Sequence, residues 1–406
     1  MNISRMRQID RWIGPAACFL LTTLRKLNEF GRRSESQTRK IRKILFVKPA
    51  EQGATVLAYP AMKWAIRYVG QENVYFLVFQ ENRFILDAMQ VVPAGNVLDI
   101  PTDSFIHFAR GCIQALHRAR RLKIDAAVDL EFFSRASAIL TYLSGAVTRV
   151  GLHRFADAAP YRGDLMTHRI RFDPDIHTGQ LFTSMTQAIS LSPADLSGAI
   201  LAPPAPDAAL PAFAPFPEEL ERMKTMLVRH GAGVAGVPLV LLNPNASDML
   251  PLRRWPSERY VELAKRLIGR SSSVRVAFTG SPQEAKATEC IALEVASDRC
   301  FSVAGMTTLR ELLALYCSAD VLVTNDSGPA HFASLTPIQV VVLFGPETPA
   351  RFGSLSPRTR TLYAQLHCSP CVNAFNNRLS SCTDNQCMKQ ITVSEVFENV
   401  CQMAGL

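Results

Sequence analysis

The sequence of 406 residues lacks an apolar run long enough to cross a bilayer, which takes about twenty residues. Its nearest approach has roughly twelve apolar or small residues between Arg11 and Arg25. A cleavable secretion signal is not recognisable, because Arg25 and Lys26 follow that run where small residues belong. A short-period repeat of the solenoid kind is not visible either. We therefore expect a cytoplasmic body whose ten cysteines are mostly reduced.

Charge is concentrated at one end of the chain. The formal net charge is +9, and the first 43 residues contain eleven Arg or Lys against three acidic residues. The remainder is almost neutral, which argues against a nucleic-acid partner. We expect residues 1–43 to contact anionic lipid, as an interfacial anchor with Trp12 and Phe19 at headgroup depth. The alternative is a helix that packs on the protein's own surface.

Apolar runs of strand length alternate with amphipathic, helix-length segments from residue 44 onward. This pattern is typical of an α/β protein, in which a mostly parallel sheet is covered by helices. Proline and alanine in residues 201–217 indicate a stiff connector between two doubly wound domains. The predicted segments are a basic and apolar extension (1–43), an N-terminal domain (44–200), the connector (201–217), a C-terminal domain (218–390) and a final helix (391–406).

Ligands of open α/β sheets bind beyond the carboxyl ends of the strands, so polar residues that follow strands are candidate ligands. The segment "NDSGPAHFAS" follows a predicted strand. Asp326 or Ser327 would cap the next helix, and Gly328 would let the backbone approach a ligand. Free N–H groups at that helix start suit a diphosphate, with His331 as a further donor. The alternative is a plain capped helix with a packed histidine.

Neighbouring loops add groups suited to a nucleotide. Arg253 carries a guanidinium fork that fits phosphate oxygens. The Glu284 carboxylate would accept from ribose hydroxyls, and Met306 would wall a base. Together with Asn245 and Ser247, these residues follow strands and are expected to converge on one edge of one sheet.

Five motifs occur together, and through them the chain resembles glycosyltransferase family 9, the ADP-heptose:lipopolysaccharide heptosyltransferases and their relatives. The motifs are R-R-W-P (253–256), G-x-x-x-E (280–284), A-G-M-T (304–307), D-S-G-P-x-H (326–331) and LFGPETP (343–349). The resemblance covers roughly residues 44–400. By position, the donor-binding residues it implies are Asn245, Ser247, Arg253, Glu284, Met306, Asp326, Ser327, Gly328 and His331.

The resemblance implies two Rossmann-like domains that face a cleft, in the GT-B arrangement. It also implies an inverting glycosyl transfer that requires no cofactor or metal. The expected donor is ADP-heptose, and the expected acceptor is a lipid-linked or lipopolysaccharide-type glycan at the cytoplasmic face of the inner membrane. Two alternatives stay open: a catalytically inactive relative that binds nucleotide-sugar within an assembly complex, and a sugar-nucleotide epimerase.

The loop after the first predicted strand departs from the family pattern. Lys48, Gly53 and Pro60 match, but Ala54 stands where the family carries the aspartate taken to be the general base. Glu51, on the same loop ahead of a helix predicted over residues 55–70, is one replacement.

Residues at the end of another predicted strand offer a second replacement, Asp129 or Glu131. A third possibility is that transfer activity has been lost. Lys48 would steady the donor phosphate or an anionic group of the acceptor. Further candidates for binding the acceptor are Glu131, Arg135 and Arg162.

Four cysteines cluster as C-x2-C-x10-C-x4-C in a polar, turn-rich stretch. They are Cys368, Cys371, Cys382 and Cys387. Their spacing allows a structural zinc site, one or two disulfides, or unligated thiols in a compact loop. A catalytic metal is not expected, because the cluster has no obvious open position.

Overall fold

The computed structural model describes residues 3–29, 40–155, 159–196, 209–246, 250–376 and 379–406. The chain divides into two compact units, Met1–Ala208 and Ala209–Leu406. The first eight residues of the proline- and alanine-rich stretch lie outside the described residues, and residues 209–216 form neither helix nor strand.

The first unit contains a parallel sheet in the order β3-β2-β1-β4-β5-β6. Strands β1 and β2 are continuous apolar runs, as expected for strands whose two faces are both covered. The order reverses between β1 and β4, and Val47 pairs with Asp129 there, so the loops after these strands lie side by side. The strands are β1 Ile44–Val47, β2 Val74–Phe79, β3 Val97–Ile100, β4 Ala126–Asp129, β5 Thr148–Leu152 and β6 His168–Ile170.

The helices of the first unit include one departure from the predicted pattern. The single helix predicted over residues 55–70 is two helices, because Pro60 has no N–H and suits the first turn of a new helix. The helices are α1 Ile3–Trp12, α2 Gly14–Glu29, α3 Gln52–Leu57, α4 Tyr59–Val69, α5 Arg83–Met89, α6 Phe105–Arg121, α7 Arg135–Leu143 and α8 Thr178–Gln187.

The second unit repeats the doubly wound topology, with a parallel sheet in the order β12-β11-β10-β7-β8-β9. Its strands are β7 Leu239–Asn243, β8 Arg275–Phe278, β9 Cys300–Ser302, β10 Val321–Asn325, β11 Gln339–Phe344 and β12 Thr359–Tyr363. Its helices are α9 Pro217–Val228, α10 Ser257–Arg270, α11 Ala285–Glu294, α12 Leu309–Cys317, α13 Gly328–Ala333, α14 Pro349–Phe352, α15 Gln386–Lys389 and α16 Val393–Ala404. The core packs α10 and α16 on the sheet around Trp255 and Tyr260.

The predicted α/β class with two doubly wound units is confirmed. Among the described residues, no helix has both the length and the apolar character needed to cross a bilayer. Helices α1 and α2 instead pack on α7. At least one face of these helices therefore packs on the protein's own surface, as one of the two predictions for the extension expects.

Candidate functional site

The loop between β1 and α3, residues 48–51, forms a charged cluster with the loop after β4. Lys48 is fully buried, and its Nζ lies 3.0 Å from Glu131 Oε2 and 3.3 Å from Glu51 Oε2. Lys48 also donates to the Ala50 carbonyl at 2.9 Å, and the Ala50 N–H donates to Glu131 Oε1 at 2.9 Å. One ammonium thus bridges two carboxylates at the point where the strand order reverses.

Glu51 has an uncommon backbone conformation for a residue with a side chain. Its φ of 66° places it in the left-handed region, directly before the first residue of α3. Such conformations cost free energy and occur often at functional sites. The Glu51 side chain is 22% exposed, whereas that of Glu131 is 10% exposed. Glu51 is therefore the more accessible of the two carboxylates that contact Lys48.

Burial and charge act in opposite directions on Glu131. Burial raises the pKa of its carboxyl above the ordinary value, the Lys48 ammonium lowers it, and the nearby Glu51 carboxylate raises it. The net direction is upward. Glu131 also accepts the Ala50 N–H, so it anchors the loop backbone. These contacts suit a residue that positions the loop that carries Glu51.

Asp129 and Arg162 face each other inside the unit. Asp129 is fully buried, and its carboxylate accepts from Arg162, from Ser137 Oγ at 3.0 Å and from the Glu131 N–H at 3.1 Å. Burial raises the pKa of Asp129, and Arg162 lowers it. The Arg162 side chain is 2% exposed. Both side chains are buried and paired with each other, so the structure does not support Asp129 as a base or Arg162 as an acceptor ligand.

Arg135, the other predicted acceptor arginine, is tied to neighbouring chain segments. Its Nε donates to the Tyr161 carbonyl at 2.8 Å, and its Nη1 lies 3.4 Å from Asp10 Oδ2. Arg135 therefore joins α7 to α1 and to the loop between β5 and β6. Its contacts are structural and compete with those of a bound phosphate.

In the second unit, Arg253 lies between two buried carboxylates. Its Nε is 3.4 Å from Asp326 Oδ2, and its Nη2 is 3.5 Å from Glu347 Oε1. Glu347 follows β11 and is fully buried. It lies in the LFGPETP segment, but sequence reasoning did not select it. The sequence signal for Glu347 was a carboxylate three residues after the end of strand β11.

Asn325 is a second residue that sequence reasoning missed. Its Oδ1 accepts the Trp255 N–H at 3.0 Å and the Tyr260 hydroxyl at 3.2 Å. Its Nδ2 donates to the carbonyls of Pro244 and Asn245 at 3.1 Å. Asn325 thus connects the end of β10 to the loop after β7, and so places the Arg253 segment beside Asp326.

Two predicted donor residues hold their own loops. Asn245 Nδ2 donates to the Thr279 carbonyl and to Thr288 Oγ1, each at 3.2 Å. Glu284 accepts from the Ser281 N–H at 2.8 Å and the Ser281 hydroxyl at 2.7 Å. These bonds order the loops after β7 and β8, and a ligand hydroxyl would compete with Ser281 for Glu284.

The remaining predicted donor residues differ in exposure. Met306 is 56% exposed, which leaves its side chain accessible to a planar base. Ser247 lies outside the described residues.

The segment after β10 does not use its predicted side-chain cap. The Ser327 hydroxyl donates to the Asn325 carbonyl at 3.1 Å, and Asp326 lies against Arg253. Gly328 begins α13, and a Cβ at Gly328 would come within 2.9 Å of the Phe332 ring, so a larger residue would disturb this turn. His331 is buried one turn into α13. Asp326 is thus the polar group of this segment that the structure brings to Arg253.

The four clustered cysteines are free thiols, so the disulfide alternative is not seen. Cys368 is exposed, while Cys387 is buried with its Sγ beside Gly345. Burial is the main cause that raises the pKa of Cys387 to about 11. Within the described part of the chain, no three His, Cys, Asp or Glu side chains are arranged to hold a metal. Structural zinc stays a prediction.

The model of "Glycosyltransferase family 9 (heptosyltransferase)" matches residues 116–379 of the chain. Lipopolysaccharide heptosyltransferase 2 of Salmonella typhimurium is 34% identical over 128 residues, which are 31% of this chain and 36% of that protein. The alignment thus spans about a third of the length of this curated relative.

Two solved structures have a similar fold. The E. coli ADP-heptose lps heptosyltransferase II matches with a TM-score of 0.64 and 22% identity, over 89% of this chain and 98% of that one. The E. coli heptosyltransferase WaaC with ADP-2-deoxy-2-fluoro heptose matches with a TM-score of 0.58 and 16% identity, over 89% and 99%.

Proposed function

Because the chain belongs to glycosyltransferase family 9, we propose that it transfers heptose from ADP-heptose to a lipid-linked or lipopolysaccharide-type acceptor, with inversion at the anomeric carbon. The donor is inferred from its relatives. One matched structure contains an ADP-heptose analogue, and another is described as an ADP-heptose lps heptosyltransferase. The acceptor class is inferred from the lipopolysaccharide heptosyltransferase that is 34% identical over its aligned part.

The proposal assigns donor binding to the second unit. Arg253 would interact with the diphosphate, because a guanidinium donates in a fork to phosphate oxygens. Asp326 and Glu347 hold this guanidinium from the protein side. A fixed cation stabilises the charge that develops on departing ADP without rearrangement at the moment of reaction. Arg253 would thus serve the purpose that a metal serves in other transferases, which fits the expected metal-independent transfer.

The proposal assigns proton removal to Glu51 in the first unit. As the acceptor oxygen attacks the anomeric carbon, the proton of the acceptor hydroxyl passes to the Glu51 carboxylate. The bond between the anomeric carbon and the phosphate oxygen breaks, and its electron pair leaves with ADP. Ala54 has no group for this step. The observation that carries this assignment is that Glu51 is the accessible carboxylate on Lys48, with Glu131 fixing the same loop.

The location of the acceptor sets where the protein works. We propose peripheral association with the cytoplasmic face of the inner membrane, because a lipid-linked acceptor is confined to a bilayer. The basic N-terminal extension supports this placement, since eleven Arg or Lys lie within its 43 residues.

The experiment that tests the function is release of ADP from ADP-heptose, with and without a membrane lipid extract. Release that requires the extract supports transfer. ADP release that is equally fast without extract would contradict an acceptor-dependent reaction, and conversion of the sugar nucleotide without any acceptor would identify an epimerase.

A second candidate function is favoured by Ala54, which replaces the family's expected base. A protein that lost its base would keep the donor site and bind nucleotide-sugar without turnover. Tight ADP-heptose binding by calorimetry, together with no ADP release at any pH with extract, would establish this candidate and contradict transfer.

A further inference from the structure

Helix α2 has apolar residues on two opposite sides. One side is buried against the first unit: Cys18 is fully buried and packs with Leu165 and Met166. The other side remains exposed, with Leu20 at 59%, Leu24 at 45% and Leu27 at 67%. Ile13 and Phe19 are exposed nearby, at 61% and 65%. One of the two predictions for this segment, packing on the protein, is thus seen for one face of the helix, while the opposite face stays exposed.

The buried side is fixed by specific polar contacts. Thr22 Oγ1 accepts the Asp164 N–H at 2.9 Å, and Arg25 pairs with the Asp164 carboxylate at 2.8 Å. Gly163, at φ +72°, lies so close that a Cβ there would meet Thr22 Oγ1 at 2.7 Å. Because these contacts set the rotation of α2, its exposed apolar side cannot turn inward without breaking them.

Helix α1 is fixed to the same surface. Asp10 Oδ1 accepts the Ala136 N–H at 2.7 Å in the first turn of α7, where an anion is favoured. Asp10 also lies 3.4 Å from Arg135. The acidic side chain of α1 is thus directed into the protein. Arg7, Arg11 and Lys26 are exposed on the same two helices, and Arg11 lies over the Trp12 ring.

We propose that the exposed side of α1 and α2 binds an anionic phospholipid bilayer. Helices that expose both leucines and basic residues match the boundary between acyl chains and phosphate headgroups, and Trp12, which is 75% exposed, suits the headgroup region. Complementary charge favours lipid over a second copy of the chain, because a copy would bring Arg7, Arg11 and Lys26 against like charges.

The position of α7 connects this surface to the proposed chemistry. Helix α7 begins six residues after the end of β4, and Glu131 lies within that interval. Helices α1 and α2 dock on α7 and therefore on the element that follows the Lys48–Glu131 cluster. The inference deepens the proposed function, since it presents a membrane-bound acceptor to the unit that carries Glu51, but binding to lipid does not depend on transfer.

The test is sedimentation of the full chain with vesicles of phosphatidylglycerol and phosphatidylethanolamine. The triple variant Leu20→Ser, Leu24→Ser, Leu27→Ser should reduce the partition coefficient at least tenfold, with unchanged circular dichroism. The matched control is Ile106→Ser with Ile113→Ser on α6, which are 75% and 68% exposed and lie outside the surface. It should partition as the wild type does.

Several results would overturn the inference. One is equal partitioning of the triple variant and the wild type. A second is an equal loss of vesicle partitioning in the α6 control, which would mean that any exposed apolar residues support binding. A third is a wild-type dimer, seen by light scattering, that the triple variant dissociates.

A water-soluble acceptor fragment separates this inference from the proposed function. The triple variant should turn over the fragment at the wild-type rate but lose activity on vesicle-bound acceptor. If neither the wild type nor the triple variant turns over either acceptor while wild-type vesicle binding persists, the proposed function fails and the membrane-binding surface stands.

Discussion

The ammonium of Lys48 lies 3.3 Å from the carboxylate of Glu51, across a loop whose backbone turns through a left-handed conformation at Glu51 itself. A salt bridge at that distance directs the glutamate side chain toward the carboxyl edge of the sheet, at the point where the strand order reverses. The family's aspartate position is Ala54, on α3. Glu51 therefore brings a carboxylate to this edge from the loop, three residues before the family's position.

The raised pKa of Glu131 predicts a pH-dependent stability. A carboxyl whose pKa is higher in the folded state contributes most to stability at pH values below its ordinary pKa of 4.5. This contribution is lost as pH rises through the folded-state pKa. The Glu131→Gln variant has no carboxyl to ionise and should not show this loss. Its free energy of unfolding relative to that of the wild type should therefore increase as pH rises above 4.5. Urea unfolding between pH 4.5 and pH 8 measures it.

Glu311 provides the control of opposite sign. The Thr308 N–H donates to its carboxylate and lowers its pKa, so its contribution is present above 4.5 and lost as pH falls. Glu311→Gln should lose stability relative to wild type as pH rises. Parallel pH profiles of the two variants would contradict at least one of the two assignments.

Asp129 and Arg162 are expected to be structural. Arg162→Met leaves a buried carboxylate without its cation and should lower the free energy of unfolding by about 3–5 kcal/mol. The double variant Asp129→Asn, Arg162→Met should recover most of that loss, and its KM for acceptor should stay within about twofold of wild type, because neither side chain is accessible. A rise of tenfold or more in the acceptor KM of the double variant would return Arg162 to the binding site.

Donor affinity should depend on Arg253. Arg253→Met removes charge-assisted hydrogen bonds to phosphate, so ADP should bind about tenfold to a hundredfold more weakly by calorimetry. The matched control is Arg254→Met, since the Arg254 guanidinium donates to the Ala246 carbonyl at 2.9 Å. Equal ADP affinity for wild type and Arg253→Met would remove Arg253 from the donor site.

Thiol reactivity should be graded across the cysteine cluster. The exposed Cys368 should react with iodoacetamide at pH 8 well before Cys387, whose buried thiol has a pKa of about 11. Mass spectrometry of partially labelled protein gives the order. Protection of all four thiols that a chelator removes would instead reveal a bound metal, which the cysteine spacing allows.

Apolar periodicity predicted the long elements well, because buried parallel strands such as β1 and β10 are continuous apolar runs. Strand β12 is half exposed and carries Arg360, so its sequence has no such run. The break between α3 and α4 was missed although Pro60 marked it. Short or exposed elements leave too weak a pattern to detect.

The candidate site was predictable in its location but not in its pairing. Polar residues after strands converge on one sheet edge in each unit by topology alone, which is why Lys48, Glu51 and Glu131 could be selected. Whether a carboxylate faces an inward arginine or an accessible loop depends on tertiary packing. For this reason Asp129 pairs with the buried Arg162, whereas Glu131, two residues later, contacts Lys48 and the loop that carries Glu51.

The most direct test of a relocated base is the rate of ADP release from ADP-heptose with lipid extract, for wild type, Glu51→Gln and Ala54→Asp. Our prediction is that wild type turns over and that Glu51→Gln lowers kcat by about 10²–10⁴ with little change in donor binding. Wild-type turnover that Glu51→Gln leaves unchanged, or an inert wild type in which Ala54→Asp creates turnover, would contradict it.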